Sequence, residues 1–233
     1  MIKGIYQSAR SLQAANKNME KISGNLANLN TVGFKREGLF SEILKSEGKS
    51  EIRSSVDTSQ GQIYETLNPL DLALVGEGMF TIQTANGYEF TRKGNFKIAD
   101  DGFLVNEQGN KVMGKAGEIN LIEYMNGEEN DIKITHNGEL SINETHVADL
   151  LIVKIDDYEK RKTGLNFNST QDIQDLAQES EFEIKQGYLE ESNVNPMIEL
   201  ENMINISKEY ETAYKMVNYL DSSLEKANDL GRI

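Results

Sequence analysis

The sequence predicts an α+β protein in which N- and C-terminal helices pair as a coiled-coil-like stalk beside a central antiparallel β domain. Three observations carry this. Apolar residues step by three and four at both ends of the 233-residue chain. The middle shifts toward a period of two, with turn signals roughly every 8–12 residues. Polar stretches at 45–60 and 164–180 lie at the seams between the two regimes. The expected boundaries are 1–40 for the N-terminal helix, 41–68 for an extended connection, 69–186 for the β domain and 187–233 for the C-terminal helix. The two helices together form one discontinuous assembly domain.

The first helix is read over 1–29. Ile2, Ile5, Ala9, Leu12, Met19 and Leu26 form its seam, Asn16 and Ser23 fill the remaining seam positions, and Ala15, Ile22 and Leu29 widen it. A repeat near 3.5 residues is the mark of a coiled coil, in which a polar Asn16 would weaken packing but set register. Gly24 costs about 1 kcal/mol relative to alanine inside a helix, which suggests either close approach by a neighbour or a weak point. Asn30-Thr31-Val32-Gly33 reads as the stop, with Gly33 left-handed.

In the middle, Met79–Gln83 is a strand candidate and Asn86-Gly87 a hairpin signal. Glu89–Arg92, Asn95–Ile98, Phe103–Val105, Lys111–Met113, Asp131–Thr135, Leu140–Ile142, Val147–Ile155 and Glu181–Lys185 follow, most of them joined by tight glycine turns. Such turns predict meander-like connections. The last helix starts at Asn195-Pro196, a cap followed by proline at the first helical position. Its seam is Met203, Ile206, Tyr210, Ala213, Val217, Leu220, Leu224 and Ala227, with Glu201, Lys208, Glu211 and Lys215 opposite, and it fades near Gly231.

Composition narrows the function. With 24 basic and 38 acidic residues the net charge is −14, which repels phosphate and makes nucleic acid and anionic membranes poor partners. No apolar run reaches the length of a membrane span, and Met1–Gln7 shows no secretory pattern. Without cysteine, disulfides, thiolate catalysis and cysteine-based zinc sites are excluded. Asp100-Asp101-Gly102 and Asp156-Asp157 lack the alternating ligands of a calcium loop. His136 and His146 fall in the strand-rich region as turn and strand residues. Gly76-Glu77-Gly78 has Thr81 where a dinucleotide loop needs glycine, and no Gly-x-Ser-x-Gly occurs. No cofactor, metal or catalytic residue is therefore expected.

Particular words of the sequence add a family. Ser8–Ala14, Met19–Asn28 and Asn30–Arg36, with Asn25-Leu26-Ala27-Asn28 and Gly33-Phe34-Lys35 at their core, closely resemble the N-terminal signature of flagellar rod and hook proteins. Gly61, Asp71–Leu74, Gly76–Phe80, Phe90–Phe96 and Gly102–Val105 resemble that family's central β segment. Gln186–Asn195, Glu199, Met203-Ile204 and Tyr210-Glu211 resemble its C-terminal helix and lead-in. Lys208-Glu209 stands where the family often has Gln-Arg, and Met79 where phenylalanine is common. The chain has no room for the outer domains of hook subunits, yet it has the β domain that the smallest rod subunits lack. The short insert after Phe40 and the ending Lys226–Arg232 lean toward a proximal-type over a distal-type rod subunit.

The resemblance implies a structural subunit that polymerises through its terminal helices into the axial drive shaft and the wall of the export channel. Its partners would be other copies, other rod and hook subunits and the flagellar type III export apparatus, without nucleic acid or membrane insertion. It implies a place in the periplasm-spanning rod, reached without a cleaved signal peptide. The expected assembly residues are Ile5, Leu12, Met19, Leu26, Tyr210, Val217, Leu220 and Leu224 on the seams, with Asn25, Asn28 and Gly33 shaping the bend after the first helix. The alternatives are a hook-type or transient scaffold protein, or a wall-processing enzyme on a helical stalk.

Overall fold

Two stretches of 26 and 35 residues form helices, α1 (Ile2–Ala27) and α2 (Pro196–Leu230). The computed structural model describes residues 2–43, 50–125, 130–154, 160–163, 166–168 and 182–230. The chain divides into a helical unit, Met1–Leu29, Arg36–Asp57 and Val194–Ile233, and a β unit, Asn30–Lys35 and Thr58–Asn193.

Within the helical unit, α2 begins as expected: Asn195 Oδ1 accepts from the N–H groups of Met197 (3.0 Å) and Ile198 (3.4 Å) ahead of Pro196. At the same end of the pair, Asn28 Nδ2 donates to Gly24 O at 2.8 Å and closes the last turn of α1. The helices run antiparallel. A Cβ at Gly4 would lie 3.2 Å from Leu220, whereas Asn25 near the end of α1 bonds Glu199 near the start of α2. The seam of α1 corrects the sequence reading. Asn16, Ser23 and Ala9 are exposed, and the second inward row is Ser8, Ala15 and Ile22. Ile5, Leu12, Met19 and Leu26 can be flanked by the row three or the row four positions on. The row with Ala15 and Ile22 is the more apolar, so burial selects it over Asn16 and Ser23. A Cβ at Gly24 would meet none of the described atoms within 4 Å outside its own stretch of helix, so no close approach explains the glycine. Ala227 is also exposed, because it lies beyond the first residue of α1.

The stretch expected as an extended connection contains a hairpin. β1 (Glu37–Ile43) and β2 (Ser50–Val56) pair antiparallel from Glu37↔Val56 to Ile43↔Ser50. Residues 44–49, between the two strands, lie outside the described residues.

The β unit starts with β3 (Ile63–Glu65), β4 (Leu72–Gly76), β5 (Met79–Thr84), β6 (Gly87–Thr91), β7 (Lys97–Ile98), β8 (Leu104–Val105), β9 (Lys111–Gly114) and β10 (Gly117–Glu118). It continues with β11 (Ile132–Ile134), β12 (Glu139–Ile142), β13 (Thr145–Asp149), β14 (Ile152–Val153), β15 (Lys160–Thr163), β16 (Asn166–Asn168), β17 (Phe182–Gln186) and β18 (Tyr188–Glu190). The main sheet runs β15-β16-β6-β5-β9-β8-β7, with β10 on β9 and β14 on β5. The expected tight turns are present. Ala85 and Asn86 form the β5–β6 loop and Gly87 takes φ +115°, one position later than a two-residue Asn-Gly turn would place it. Part of the meander expectation fails, because β4 pairs with β17 and β3 with β18 across more than a hundred residues. Turn residues announce only local pairing. The single strand expected from Val147 breaks at Leu150-Leu151, Ile155 lies outside the described residues, and so does the polar stretch at 164–180 apart from β16.

The core of this unit is apolar and continuous. Leu72, Leu74, Phe80, Ile82, Val112, Leu121, Leu140 and Ile142 are almost fully buried, and Phe80 and Phe96 meet edge to face at 5.1 Å. Burial of side chains this size stabilises by roughly 1.5–3 kcal/mol each.

Candidate assembly surfaces

Each helix of the helical unit has an inward stripe at heptad spacing. On α2 it is Glu199, Met203, Ile206, Tyr210, Ala213, Val217, Leu220 and Leu224; on α1 it is Ile5, Ser8, Leu12, Ala15, Met19, Ile22 and Leu26. The chain covers these stripes incompletely. Among the described side chains, only Ala15 and Ile22 of the apolar residues of the two helices are buried, while Ile5, Leu12, Met19, Leu26, Tyr210, Val217, Leu220 and Leu224 are half-buried.

Beside the stripes runs a groove of about 760 Å³, lined by Gly4, Gln7, Ser8 and Ser11 on α1 and by Lys208, Glu209, Thr212, Ala213, Met216 and Leu220 on α2. Three of the four residues of the α1 wall, Gly4, Ser8 and Ser11, are small, which favours close approach of another helix. A second apolar band, Met197, Leu200 and Ile204, stands exposed on the first turns of α2, with Tyr214, Met216 and Tyr219 further along. Of the outer-face charges, Glu211 and Lys215 form an i,i+4 pair at 2.6 Å. The hydrogen bond from Lys215 holds the Glu211 carboxyl below its ordinary range, and the same bond pushes the Lys215 ammonium up.

A buried polar junction closes the end of α1. Asn25, only 1 % exposed, donates to Glu37 O at 2.8 Å and accepts from Glu37 N–H at 2.9 Å. The same Nδ2 lies 3.3 Å from Glu199 Oε2. Glu199 is 0 % exposed and also accepts from Arg36 Nε, and Glu37 pairs with Lys21. Asn25 thus reads the backbone of the outgoing chain at both donor and acceptor, a two-point match that other side chains of its size do not supply. Gly33, within the β unit, adopts φ +65°, and a Cβ there would sit 2.6 Å from the carbonyl carbon of Arg92. Both facts exclude any side chain at that position.

The expected assembly residues therefore separate into three groups. The eight seam residues lie along the helix pair, Asn25 and Asn28 tie its end, and Gly33 makes its close approach in the β unit. Sequence reasoning assigned no role to Arg36 and Glu199, although both stand in the quoted family words. A carboxylate at an otherwise apolar heptad position of α2 was the available signal for Glu199.

The two ends of the chain are helices that pack against each other, with half-covered stripes and an apolar groove. Three family models match the chain in order: a flagella basal body rod protein model over residues 5–35, a flagellar hook protein FlgE/F/G D1 domain model over 73–143, and a flagellar basal body rod FlgEFG protein C-terminal model over 185–230. The chain is 27% identical to a flagellar basal-body rod protein FlgF of Mesorhizobium japonicum (96% of this chain, 95% of the relative) and 28% identical to a FlgF of Caulobacter vibrioides over the full length of both. It is 29% identical to a flagellar basal-body rod protein FlgG of Buchnera aphidicola, covering 99% of this chain and all of the relative. The chain belongs to the flagellar basal-body rod protein family. Among the described residues no helix is long and apolar enough to cross a membrane.

Proposed function

We propose that this chain is a structural subunit of the bacterial flagellar basal-body rod, that it polymerises through its terminal helices paired as a coiled coil, and that it does no covalent chemistry. The observation that carries the reading is the half-covered pair of heptad stripes. An amphipathic helix gains most of its stability from packing, and these helices leave packing surface for neighbours. Copies or related rod and hook subunits seated on that surface head to tail give an open helical filament.

The distribution of charge supports the same reading. The helical unit contains 12 basic and 13 acidic residues, a net −1; the β unit contains 12 basic and 25 acidic, a net −13. Neutral helices associate without electrostatic cost, whereas acidic β units repel and favour the outside of an assembly. On this reading the assembly domain is the helical unit, 1–29, 36–57 and 194–233, narrower than the 1–40 and 187–233 read from the sequence because β18 pairs with β3 in the β unit. The chain reaches the basal body through the flagellar type III export apparatus. Relatives named FlgF and FlgG both align along its length, and the short insert after Phe40 favours the proximal of the two rod positions.

The test is quantitative mass spectrometry of purified hook–basal bodies from cells with the gene intact and deleted. Stoichiometric presence of the chain, with rod and hook lost on deletion, is the expected result. Its absence from the purified structure, with motility intact, would refute the proposal.

A further inference from the structure

A buried ion cluster at the edge of the β unit is not used by the rod reading. Glu190, at the end of β18, and Lys35 are each 1 % exposed. Glu190 Oε1 accepts from Lys35 Nζ at 2.7 Å and from the Gly61 N–H at 2.8 Å. Its Oε2 lies 3.5 Å from Arg92 Nη1, and the same Nη1 donates to Leu74 O at 3.2 Å. Lys35 Nζ also donates to Ser59 O at 2.6 Å. Main-chain bonds repeat the convergence. The Gly33 N–H donates to Glu190 O at 2.7 Å, the Glu191 N–H to Gln62 O at 2.7 Å and the Asn193 N–H to Phe34 O at 3.3 Å.

The three gathered segments, 33–35, 59–62 and 190–193, are where the chain enters or leaves the β unit. An unpaired ion in a protein interior is strongly disfavoured, so neither Lys35 nor Arg92 is buried until a carboxylate reaches it. Glu190 lies 155 residues from Lys35 and 98 from Arg92. The cluster therefore cannot close until almost the whole β unit is in place. We propose that Glu190 is the closing tie of the β unit: its arrival lets both cations be buried, and the three crossing segments lock in one cooperative step. The inference stands independently of what the chain assembles into.

The test is amide exchange on the full-length chain. Glu190→Gln keeps the shape and removes the charge. The amides of Gly33, Gly61, Glu191 and Asn193 are expected to exchange together, about a hundredfold faster, as loss of a buried ion pair requires, while those of β5 and β6 stay protected. Unchanged rates, or acceleration of Gly61 alone, whose bond is to the altered side chain itself, overturn the proposal. Lys35→Met should open the same four amides, and it serves as the test should Glu190→Gln fail to fold. The double variant should lose less than the two single variants combined; a fully additive loss also overturns the tie.

Discussion

The β unit and the helical unit handle their apolar residues in opposite ways. The first closes a continuous core around Phe80, Ile82 and Leu140 and carries almost all of the chain's net charge. The second leaves Leu12, Met19, Val217 and Leu224 half-covered, keeps Met197 and Tyr219 in water and is nearly neutral. One unit has finished its packing within the chain. The other leaves apolar stripe residues half-covered, and it is the unit whose net charge is near zero. On the proposed function stability and assembly therefore reside in different residues, and substitutions can separate them.

The largest separation is expected from Leu224→Asp. A charge on the α2 stripe should abolish incorporation into the rod while leaving the urea midpoint of the β unit unchanged; normal motility in this variant would sink the seam assignment. Phe80→Ala is the converse. Loss of a fully buried ring should cost about 3–5 kcal/mol in equilibrium unfolding of the β unit, and a loss confined to the helical unit would break the comparison. In dilute monomer, residues 1–30 and 200–230 should exchange their amides far faster than β5 and β6, since exposed stripes hold helices weakly. Equal protection would mean that the helical unit is as complete as the β unit.

Two smaller effects sharpen the picture of the β unit. Leu67 is 81 % exposed at φ +63°, a conformation that costs an L-residue roughly 1–2 kcal/mol. Leu67→Gly should raise thermal stability by up to about 1 kcal/mol once the greater freedom of unfolded glycine is counted. The least effect is expected at Glu107, whose carboxyl is held below its ordinary 4.5 chiefly by the hydrogen bond from Lys93. A lowered folded pKa adds stability that is present above 4.5 and is lost as pH falls through the lowered value. Glu107→Gln should therefore narrow the stability difference between neutral and acid solution, as read by thermal unfolding across that range.

Much of this division was legible in the sequence. The α2 stripe from Met203 to Leu224 and the cap at Asn195-Pro196 follow from periodicity and side-chain chemistry alone. The local hairpins follow from Asn86-Gly87 and from Asn137-Gly138. What was illegible depended on partners far away in sequence. Asn16 and Ala15 are adjacent, and only the antiparallel partner decides which of the two turns inward. The β3–β18 and β4–β17 pairings have no turn to announce them. Asn25 was expected to shape a bend, but its partners Glu37 and Glu199 could not be read from its spacing. Lys35, Arg92 and Glu190 stand within the quoted family words, but their burial could not be read there, because burial of a charge is set by its neighbours.

The contact between Ser59 and Asn193, whose Nδ2 donates to Ser59 O at 3.0 Å and to Ser59 Oγ at 3.1 Å, brings the ingoing and outgoing ends of the long β segment side by side. A segment whose ends already touch can change length between them with little movement of the ends. Lengthening or shortening its outer loops, with Arg92 and Glu190 kept as partners of Gly33 and Lys35, would thus redecorate the subunit while leaving the sequence of its helices untouched.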